Sequence, residues 1–520
     1  MTASPPRWLL ALSAVAVAAA LAMTAYGGWV TGTAWDETYH VIRLRTFLDN
    51  GWFLLPHVVV DGRPIAGETD QFVYAPVTML LLQSWTLLWG VDGASSVAAS
   101  ADAYAVRHLG VALIGAVGVG AVAALVRLIL GSWRWGLVGA AVVAALPMWT
   151  GQSMFNIKDV PVAVGFTLAT LGAGLVVSQR RLVGVLVLVV GVVLSIGTRP
   201  GIWAGVVGVL LLAALLDRRA RTAAALGGGL VAALLVLVPI YPAIFTKPWQ
   251  WLPQSVSSSG NFHGSSSPWW YVPTRTVQEI PTLLLLAAVI GSVWALRRWR
   301  RSLLSPEPAT LVAILVGAQA TALPLLAMLR QSHLYQGLRQ LLFMGPAIAV
   351  LATVGIAAVL SVDHKARRVL AASVVAAIGV PLLLQARMFP YNYAAASALS
   401  TAVAGPHIPT DYWRTSVREL APQIPKGGFV VCSPLLVDGI IQPRAAESDR
   451  DCASDLVGPL APYADERHAA APLPDDEFYA VIAGWGGAGS NCTQIGRVTR
   501  QRNLAEKTMS AVWRCTKEMP

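Results

Sequence analysis

Two adjacent carboxylates, Asp36 and Glu37, follow the first long apolar segment of the chain. A carboxylate at a membrane surface suits general base catalysis, because it can take a proton from a hydroxyl as that hydroxyl attacks. The alternative is helix capping, since Asp36 precedes the segment 38–48, which could form a surface helix that acids at its N-terminus would stabilise. One position can serve both roles.

Basic residues recur beside the apolar segments on the same side of the predicted membrane. They are Lys158, which opens a span together with Asp159, and Arg199, Arg275, Arg330 and Arg339. Planar arginine suits phosphate, so cations around acids describe a site that binds a phosphate and moves a proton. The alternative for each arginine is a structural ion pair or a lipid headgroup, and the alternative for Asp159 is capping of its helix.

Aromatic side chains accompany these charges. Tyr39 and His40 follow the acid pair, and Tyr335 precedes Arg339. No HxxxH or HxxE spacing includes His40, so an interfacial histidine is favoured over a metal ligand. A second aromatic group occupies the segment 245–279, with Trp249, Trp251, Trp269, Trp270 and Tyr271. Such residues usually anchor a loop at the membrane interface; a wall that binds a sugar or a lipid is the alternative.

The rest of the chain must hold these residues at a membrane. Of its 520 residues, 55% are hydrophobic and 12% are charged, and the mean hydropathy is +0.60. A soluble protein of this length cannot bury that much apolar surface, and the apolar runs approach the roughly 20 residues that cross a hydrocarbon core. About eleven spans are predicted, at 8–26, 107–130, 135–150, 160–178, 182–197, 202–216, 223–243, 281–296, 309–329, 341–361 and 369–386.

The net charge of +11 indicates topology and not a nucleic-acid partner, because the basic residues cluster at the ends of apolar segments. Short basic turns near Arg127, Arg180, Arg219, Arg300 and Arg368 predict a cytoplasmic N-terminus in the plasma membrane. The loops 27–104 and 245–279 then lie outside. The apolar segment 72–89 is predicted to be a re-entrant or interfacial helix, since a further span there would place Arg180 and Arg300 outside.

After residue 386 the composition changes, and the segment 387–520 is predicted to be a small extracytoplasmic α/β domain. Strands are predicted at 429–433, 478–484 and 511–515, and a helix at 412–420. All four cysteines lie here, which indicates disulfides in an oxidising compartment. Three pairings are open; the sequence neighbours, Cys432 with Cys452 and Cys492 with Cys515, are favoured.

Several motifs resemble the GT-C superfamily of membrane glycosyltransferases, in particular the family 39 branch related to protein mannosyltransferases and aminoarabinose transferases. Residues 36–40 (DETYH) resemble its acidic first-loop motif, and residues 156–161 (NIKDVP) resemble its Asn-x-Lys-Asp-x-Pro signature. Residues 335–343 (YQGLRQLLF) resemble Tyr-x-Gly-x-Arg-His-x-x-Phe, except that Gln340 stands in place of the histidine. The segments 390–393 (PYNY) and 411–413 (DYW) resemble motifs after the last span.

The resemblance implies a GT-C-like fold and an inverting glycosyltransferase whose donor is a polyprenyl-phosphate-linked sugar and whose acceptor is a glycan, lipid or protein. It implies that Asp36 is the catalytic base and that Glu37 and Asp159 support this base or bind a divalent metal ion. Candidates for binding the donor phosphate and the rest of the substrate are Lys158, Arg275, Arg339, Tyr39, His40 and Tyr335. The cytoplasmic loops are too short to bind a nucleotide sugar, and the chain has no Gly-rich phosphate loop.

Two other functions remain open. A transporter or flippase of a lipid-linked glycan intermediate would explain the many spans, but it predicts charges near the bilayer midplane and broken helices in two matched halves. The interiors of the predicted spans are nearly free of charge. The third possibility is a non-catalytic anchor or assembly partner, in which Asp36 would be dispensable.

Overall fold

The computed structural model describes residues 4–34, 37–50, 59–60, 63–64, 74–94, 101–241, 245–260, 266–301, 307–361, 367–397, 410–425, 430–431, 435–437, 440–442, 477–484, 489–503 and 505–516. Its helices are α1 (Arg7–Val30), α2 (Glu37–Asn50), α3 (Pro76–Leu88), α4 (Ala101–Leu130), α5 (Trp133–Ala144), α6 (Pro147–Gln152), α7 (Asp159–Val177), α8 (Arg181–Ile196), α9 (Trp203–Asp217), α10 (Ala220–Leu237), α11 (Pro248–Gly260), α12 (Tyr271–Glu279), α13 (Thr282–Arg301), α14 (Pro308–Leu329), α15 (Met344–Leu360), α16 (Arg367–Met388) and α17 (Val417–Leu420).

Eight helices of the described chain are long and apolar enough to cross a membrane, namely α1, α4, α7, α9 with the 3-10 turn before it, α10, α13, α14 and α16. The other three predicted spans coincide with the shorter apolar helices α5, α8 and α15. The predicted polytopic α-helical class is confirmed. Helix α3 has 13 residues, or about 20 Å at 1.5 Å per residue, which is shorter than a hydrocarbon core. Because α5 is shorter still, length does not separate α3 from the other short apolar helices, and the re-entrant or interfacial assignment of segment 72–89 stays a prediction.

Two predicted spans are interrupted near one end, and the span predicted at 223–243 corresponds to α10, which ends at Leu237. The span predicted at 135–150 is divided between α5 and α6, because Pro147 opens a new helix and has no N–H with which to continue the first one. The span predicted at 341–361 starts with the 3-10 turn Arg339–Leu341, and its α-helix begins only at Met344. That turn places Arg339 at the end of the bundle.

The bundle is built around α7 and α15, whose side chains are buried along almost their whole length. Small residues allow the close contacts. A Cβ on Gly291 of α13 would lie 1.9 Å from the Leu351 carbonyl oxygen, and one on Gly355 of α15 would lie 1.9 Å from the Ala287 carbonyl oxygen. The helices α13 and α15 therefore cross backbone against backbone at this glycine pair.

The C-terminal part contains a four-stranded sheet in the order β3 (Val430–Val431), β6 (Glu477–Ala483), β8 (Ala505–Thr516) and β7 (Cys492–Arg502). The pair β3–β6 is parallel and the other pairs are antiparallel. Two small hairpins pair β1 (Val59–Val60) with β2 (Arg63–Pro64) and β4 (Leu435–Val437) with β5 (Ile440–Gln442). The predicted α/β domain is confirmed, and β7 is a strand that the sequence analysis did not identify.

Cys492 and Cys515 lie opposite each other on β7 and β8 and form a disulfide, as predicted. Cys432 and Cys452 lie outside the described residues, so their pairing stays a prediction. The helix predicted at 412–420 is wrong over its first half, since α17 begins only at Val417. Arg414 has a left-handed backbone (φ +65°), which interrupts a right-handed helix at that point.

The segment after α16 packs against the membrane helices. Trp413 and Val417 share an apolar core with Met154 and Phe155 from the α6–α7 connection. The Asp411 carboxylate accepts hydrogen bonds from the backbone N–H groups of Thr415 (3.1 Å) and Ser416 (2.7 Å), and so fixes the turn that carries Trp413. The division of the chain at residue 387 stays a prediction, while this contact places C-terminal side chains beside the bundle.

Candidate functional site

Asp159 is the first residue of α7, and the residues before it orient its carboxylate. The Asn156 side-chain oxygen accepts hydrogen bonds from the backbone N–H groups of Lys158 (3.2 Å) and Asp159 (2.9 Å). The Asn156 side-chain nitrogen donates to Asp159 Oδ2 (3.0 Å). The buried carboxylate therefore lies at a helix N-terminus, where the helix dipole favours negative charge.

Two arginines approach the two oxygens of this carboxylate. Arg199, between α8 and α9, places an Nη atom 3.4 Å from Asp159 Oδ1, and Arg339 places one 3.8 Å from Asp159 Oδ2. The three residues come from segments 40 and 140 positions apart in the sequence. Lys158 precedes Asp159 in the chain, so two arginines and a lysine accompany one acid, and the excess of positive charge favours an anionic ligand.

Aromatic rings hold the basic side chains in place. The Arg339 guanidinium carbon lies 4.7 Å from the Tyr335 ring centroid and 4.2 Å from that of Trp413. Lys158 Nζ lies 5.6 Å from the same Trp413 ring. Arg339 is 5% exposed, and within the described chain its Nε has no hydrogen-bond partner. A buried guanidinium with a spare donor, held flat by rings, is suited to bidentate binding of a phosphate.

Gln152 connects this cluster to the C-terminal segment. Its side-chain oxygen accepts hydrogen bonds from Asn156 (2.7 Å) and from the Trp413 indole N–H (3.2 Å), and its side-chain nitrogen donates to the Tyr412 hydroxyl (2.8 Å). Tyr412 and Trp413 are therefore part of the site. In the sequence they belong to a motif after the last span, and neither is among the predicted site residues.

A second carboxylate, Glu279, holds the loop that carries Arg339. Both of its oxygens accept from the Leu338 backbone N–H, at 3.2 and 3.1 Å. Burial raises the pKa of Glu279 to about 7, although the Leu338 hydrogen bond and the positive charge of Arg275 both oppose this shift. Glu279 is a candidate that the sequence analysis missed; an acid directly before the Ile280–Pro281 start of a span was the available signal.

Arg275 belongs to this second group and not to the cluster around Asp159. Its guanidinium donates to the Gln278 side-chain oxygen (2.8 Å) and lies 5.2 Å from the Tyr271 ring centroid. The Tyr271 hydroxyl accepts a hydrogen bond from the Gly337 backbone N–H (3.1 Å). Arg275 thus supports the loop before Arg339, and its predicted role in binding the donor phosphate stays a prediction.

Glu37, the first residue of α2, is buried and paired with His108 of α4. Its oxygens lie 2.9 and 3.1 Å from His108 Nε2, and one of them accepts a hydrogen bond from the Ala34 backbone N–H (2.6 Å). His108 Nδ1 lies 3.1 Å from the Gly28 carbonyl oxygen, which can only accept, so Nδ1 carries a proton. The Nε2 atom faces the Glu37 carboxylate. His108 was missed, although polar residues at the start of an apolar run are a known signal of function.

The other predicted residues are placed as follows. Asp36 lies outside the described residues, and for Tyr39 only its place in α2 is described. His40 is buried on the same helix. The Tyr335 ring stacks on His333, with ring centroids 5.2 Å apart, and also contacts the Arg339 guanidinium.

The described residues do not fit a metal site. They contain no group of three or more His, Cys, Asp or Glu side chains that could hold an ion. Glu37 is engaged by His108, and Asp159 by two arginines. In the described chain the positive charge of the site comes from basic side chains.

A cavity of about 100 Å³ adjoins the cluster and combines charged and apolar walls. Arg199, Arg330 and Gln340 line its polar part, and Leu323, Leu326 and Phe343 line its apolar part. Such a lining matches a ligand that joins an anionic group to a hydrocarbon chain.

No protein-family model and no curated protein matches the chain. Among solved structures, the chain is similar to the crystal structure of ArnT from Cupriavidus metallidurans bound to undecaprenyl phosphate. The two share 15% sequence identity over 97% of this chain and 98% of ArnT, with a TM-score of 0.47. A likeness at this identity concerns the fold alone.

Proposed function

We propose that the protein is a GT-C-type glycosyltransferase that moves a sugar from a polyprenyl-phosphate donor to an acceptor hydroxyl, with inversion at the anomeric carbon. The observation that carries the proposal is the buried cluster of Arg199, Asp159 and Arg339 beside a cavity with an apolar wall. Its cations suit the phosphate, and the apolar wall suits the lipid.

The proposed reaction needs cations that stabilise the negative charge developing on the lipid phosphate as the sugar leaves it. The acceptor oxygen forms a bond to the anomeric carbon, the bond from that carbon to the phosphate oxygen breaks, and the lipid phosphate leaves with the electron pair. Arg339 and Arg199 would stabilise this charge. Asp159 keeps both guanidiniums oriented, since each of its oxygens faces one of them. Lys158, at the Trp413 ring, adds a third cation.

The proton of the acceptor hydroxyl must pass to a base, and we assign Asp36 to this role. Its neighbour Glu37 contacts His108 and the Ala34 N–H, which ties the start of α2 to α4 and to the connection after α1. Glu37 is therefore proposed to position Asp36 and not to take the proton itself. Tyr39 and His40 would contact the substrate from the same helix.

The orientation that goes with this function places the site outside the cytoplasm, with the basic turns and the N-terminus inside. A lipid-linked donor reaches such a site through the bilayer, where nucleotide sugars are absent. Reporter fusions at Arg219 and Arg300 should then report the cytoplasm, and fusions at Gly260 and Gly405 the outside. A cytoplasmic signal at Gly405 would contradict this orientation.

The function is tested by incubating the purified full-length protein with a panel of polyprenyl-phosphate sugars and detecting transfer. Asp36→Asn keeps the shape of the side chain but removes the base, so turnover should fall by at least about 100-fold while donor binding is retained. Arg339→Ala should weaken both donor binding and rate, because a cation on the phosphate acts in the ground and transition states.

Arg300→Ala, at the opposite end of the bundle, is the matched control and should leave transfer unchanged. Binding of undecaprenyl phosphate, the lipid in the similar structure, helps to distinguish a glycosyltransferase from a transporter. Binding without transfer of any sugar would favour a transporter. Normal turnover of Asp36→Asn, of Asp159→Asn and of Glu37→Gln would refute a catalytic role for these three carboxylates, and absence of transfer from every donor in the panel would refute the enzyme function.

A further inference from the structure

We propose that the end of α13 far from the candidate site binds an anionic phospholipid in a groove, which we call the arginine groove. It is lined by Val289, Ile290, Val293, Trp294, Arg297, Arg298 and Arg301 of α13 and by Ala358 of α15. The lipid phosphate would lie on Arg297 and Arg301, and an acyl chain along the valine and isoleucine side chains. The arginine groove shares no residue with the candidate site, and this proposal does not depend on the proposed glycosyltransferase function.

The groove lies on the opposite membrane face from Asp159. Helix α13 begins at Thr282, three residues after Glu279, and has 20 residues. At 1.5 Å per residue it extends about 30 Å, the thickness of a hydrocarbon core. Its last turn therefore reaches the other headgroup region when its first turn lies near the candidate site.

The periodicity of α13 separates a packing face from a groove face. Leu284, Ala288, Gly291 and Ala295 are buried, and the glycine crossing brings this face against α15. The groove residues recur on another face at helical spacing, and Val289, Ile290 and Val293 are exposed there. The cavity has a volume of about 480 Å³, within the range of about 300–1,000 Å³ that holds small molecules.

The charges in the groove differ in what they contact. Arg298 is engaged by the protein, with its guanidinium 2.5 Å from Glu307 and 5.5 Å from the Trp294 ring centroid. Arg297 and Arg301 are one helical turn apart, so both line the same groove. Arg300 is not among the lining residues. Two arginines on one side of an apolar groove complement one phosphate with its attached chain.

A phospholipid explains both halves of the groove, whereas a soluble phosphate would leave the apolar half uncovered. Trp294, between the two halves, is a residue type that prefers the headgroup level of a bilayer. A zwitterionic lipid could cover the apolar half, but its own cation would oppose the arginines. The groove is therefore expected to bind a lipid with a net negative headgroup.

The test measures retention of phosphatidylglycerol and phosphatidylcholine by the purified full-length protein, by native mass spectrometry in detergent. Each arginine near an anionic lipid is worth about fivefold in affinity, so Arg297→Gln/Arg301→Gln should weaken phosphatidylglycerol binding by about 25-fold. Phosphatidylcholine binding should not change. Arg300→Gln/Arg221→Gln removes the same charge from the same membrane face and should weaken phosphatidylglycerol binding by about twofold at most.

Equal losses in the two double variants would overturn the proposal, since they would show diffuse attraction to the whole basic face. Equal binding of the two lipids by the unaltered protein would also overturn it. Arg301→Gln alone, with an expected fivefold loss on the same estimate, replaces the double variant if the latter does not fold. Competition by 10-fold excess inorganic phosphate should be weak, and full displacement by it would refute the role of the acyl chain.

Discussion

A methyl group added at Gly337 should disrupt the candidate site. Its backbone is left-handed, with φ of +77°, and a Cβ there would lie 2.2 Å from Glu279 Oε1. The variant Gly337→Ala must therefore strain its backbone and also displace the carboxylate that accepts from the Leu338 N–H. Because Leu338 is followed by Arg339, the displacement should reach the guanidinium over Trp413.

The expected cost has two parts. A non-glycine residue in the left-handed region costs about 1–2 kcal/mol. Above pH 7, where Glu279 is mainly ionised, loss of a hydrogen bond to this charged group costs about 1.5–3 kcal/mol more. Gly90 is the matched control, since its φ is +70° but nothing lies within 4 Å of a Cβ built there. We expect Gly90→Ala to show the first part only, and Gly337→Ala to show both.

The free energy of unfolding in detergent, measured by denaturant titration, distinguishes these cases. A double-mutant cycle isolates the contact, because in a Glu279→Ala background Gly337→Ala should cost only the backbone part. The coupling should be about 1.5–3 kcal/mol. Undecaprenyl phosphate binding should fall in Gly337→Ala and not in Gly90→Ala. If the two alanine variants were equally destabilised, the packing of Glu279 against this loop would be refuted.

Three further predictions concern buried groups. Burial raises the Glu279 pKa from its ordinary 4.5 to about 7, so between these pH values the native state retains a proton that the unfolded state releases. The free energy of unfolding should therefore fall as pH rises through this window, by at most about 3 kcal/mol. The Glu279→Gln variant should lack this pH dependence of the free energy of unfolding. His108→Gln should lower the free energy of unfolding by about 3–5 kcal/mol, because Glu37 is left buried without its partner. The double variant His108→Gln/Glu37→Gln should recover part of this stability. A His108→Gln variant as stable as the unaltered protein would contradict the pairing. Unreduced mass spectrometry should find Cys492 linked to Cys515, whose 23-residue separation gives a stabilisation of about 3 kcal/mol that Cys492→Ser/Cys515→Ser should remove.

The sequence was sufficient for features that depend on local composition. Apolar runs of span length have few alternatives to membrane helices, because only a helix satisfies its own backbone hydrogen bonds in lipid. The α/β class of the C-terminal part follows from strands near in sequence, and the favoured pairing of Cys492 with Cys515 joins cysteines that are neighbours in sequence. The strand β7, which places Cys492 opposite Cys515, was not predicted. Breaks within helices were harder, and the interruptions at Pro147 and before Met344 were missed.

Contacts between distant segments were decided only by the tertiary structure. Asp159 was a candidate from its position, but its arginine partners lie 40 and 180 residues further along the chain. Trp413 gave a weak local signal, because tryptophans are common at membrane edges, and the partners of His108 and Glu279 come from other segments of the chain. Burial, a neighbouring charge and an adjacent ring make such residues candidates for function, and these depend on how the helices pack, which sequence periodicity does not specify.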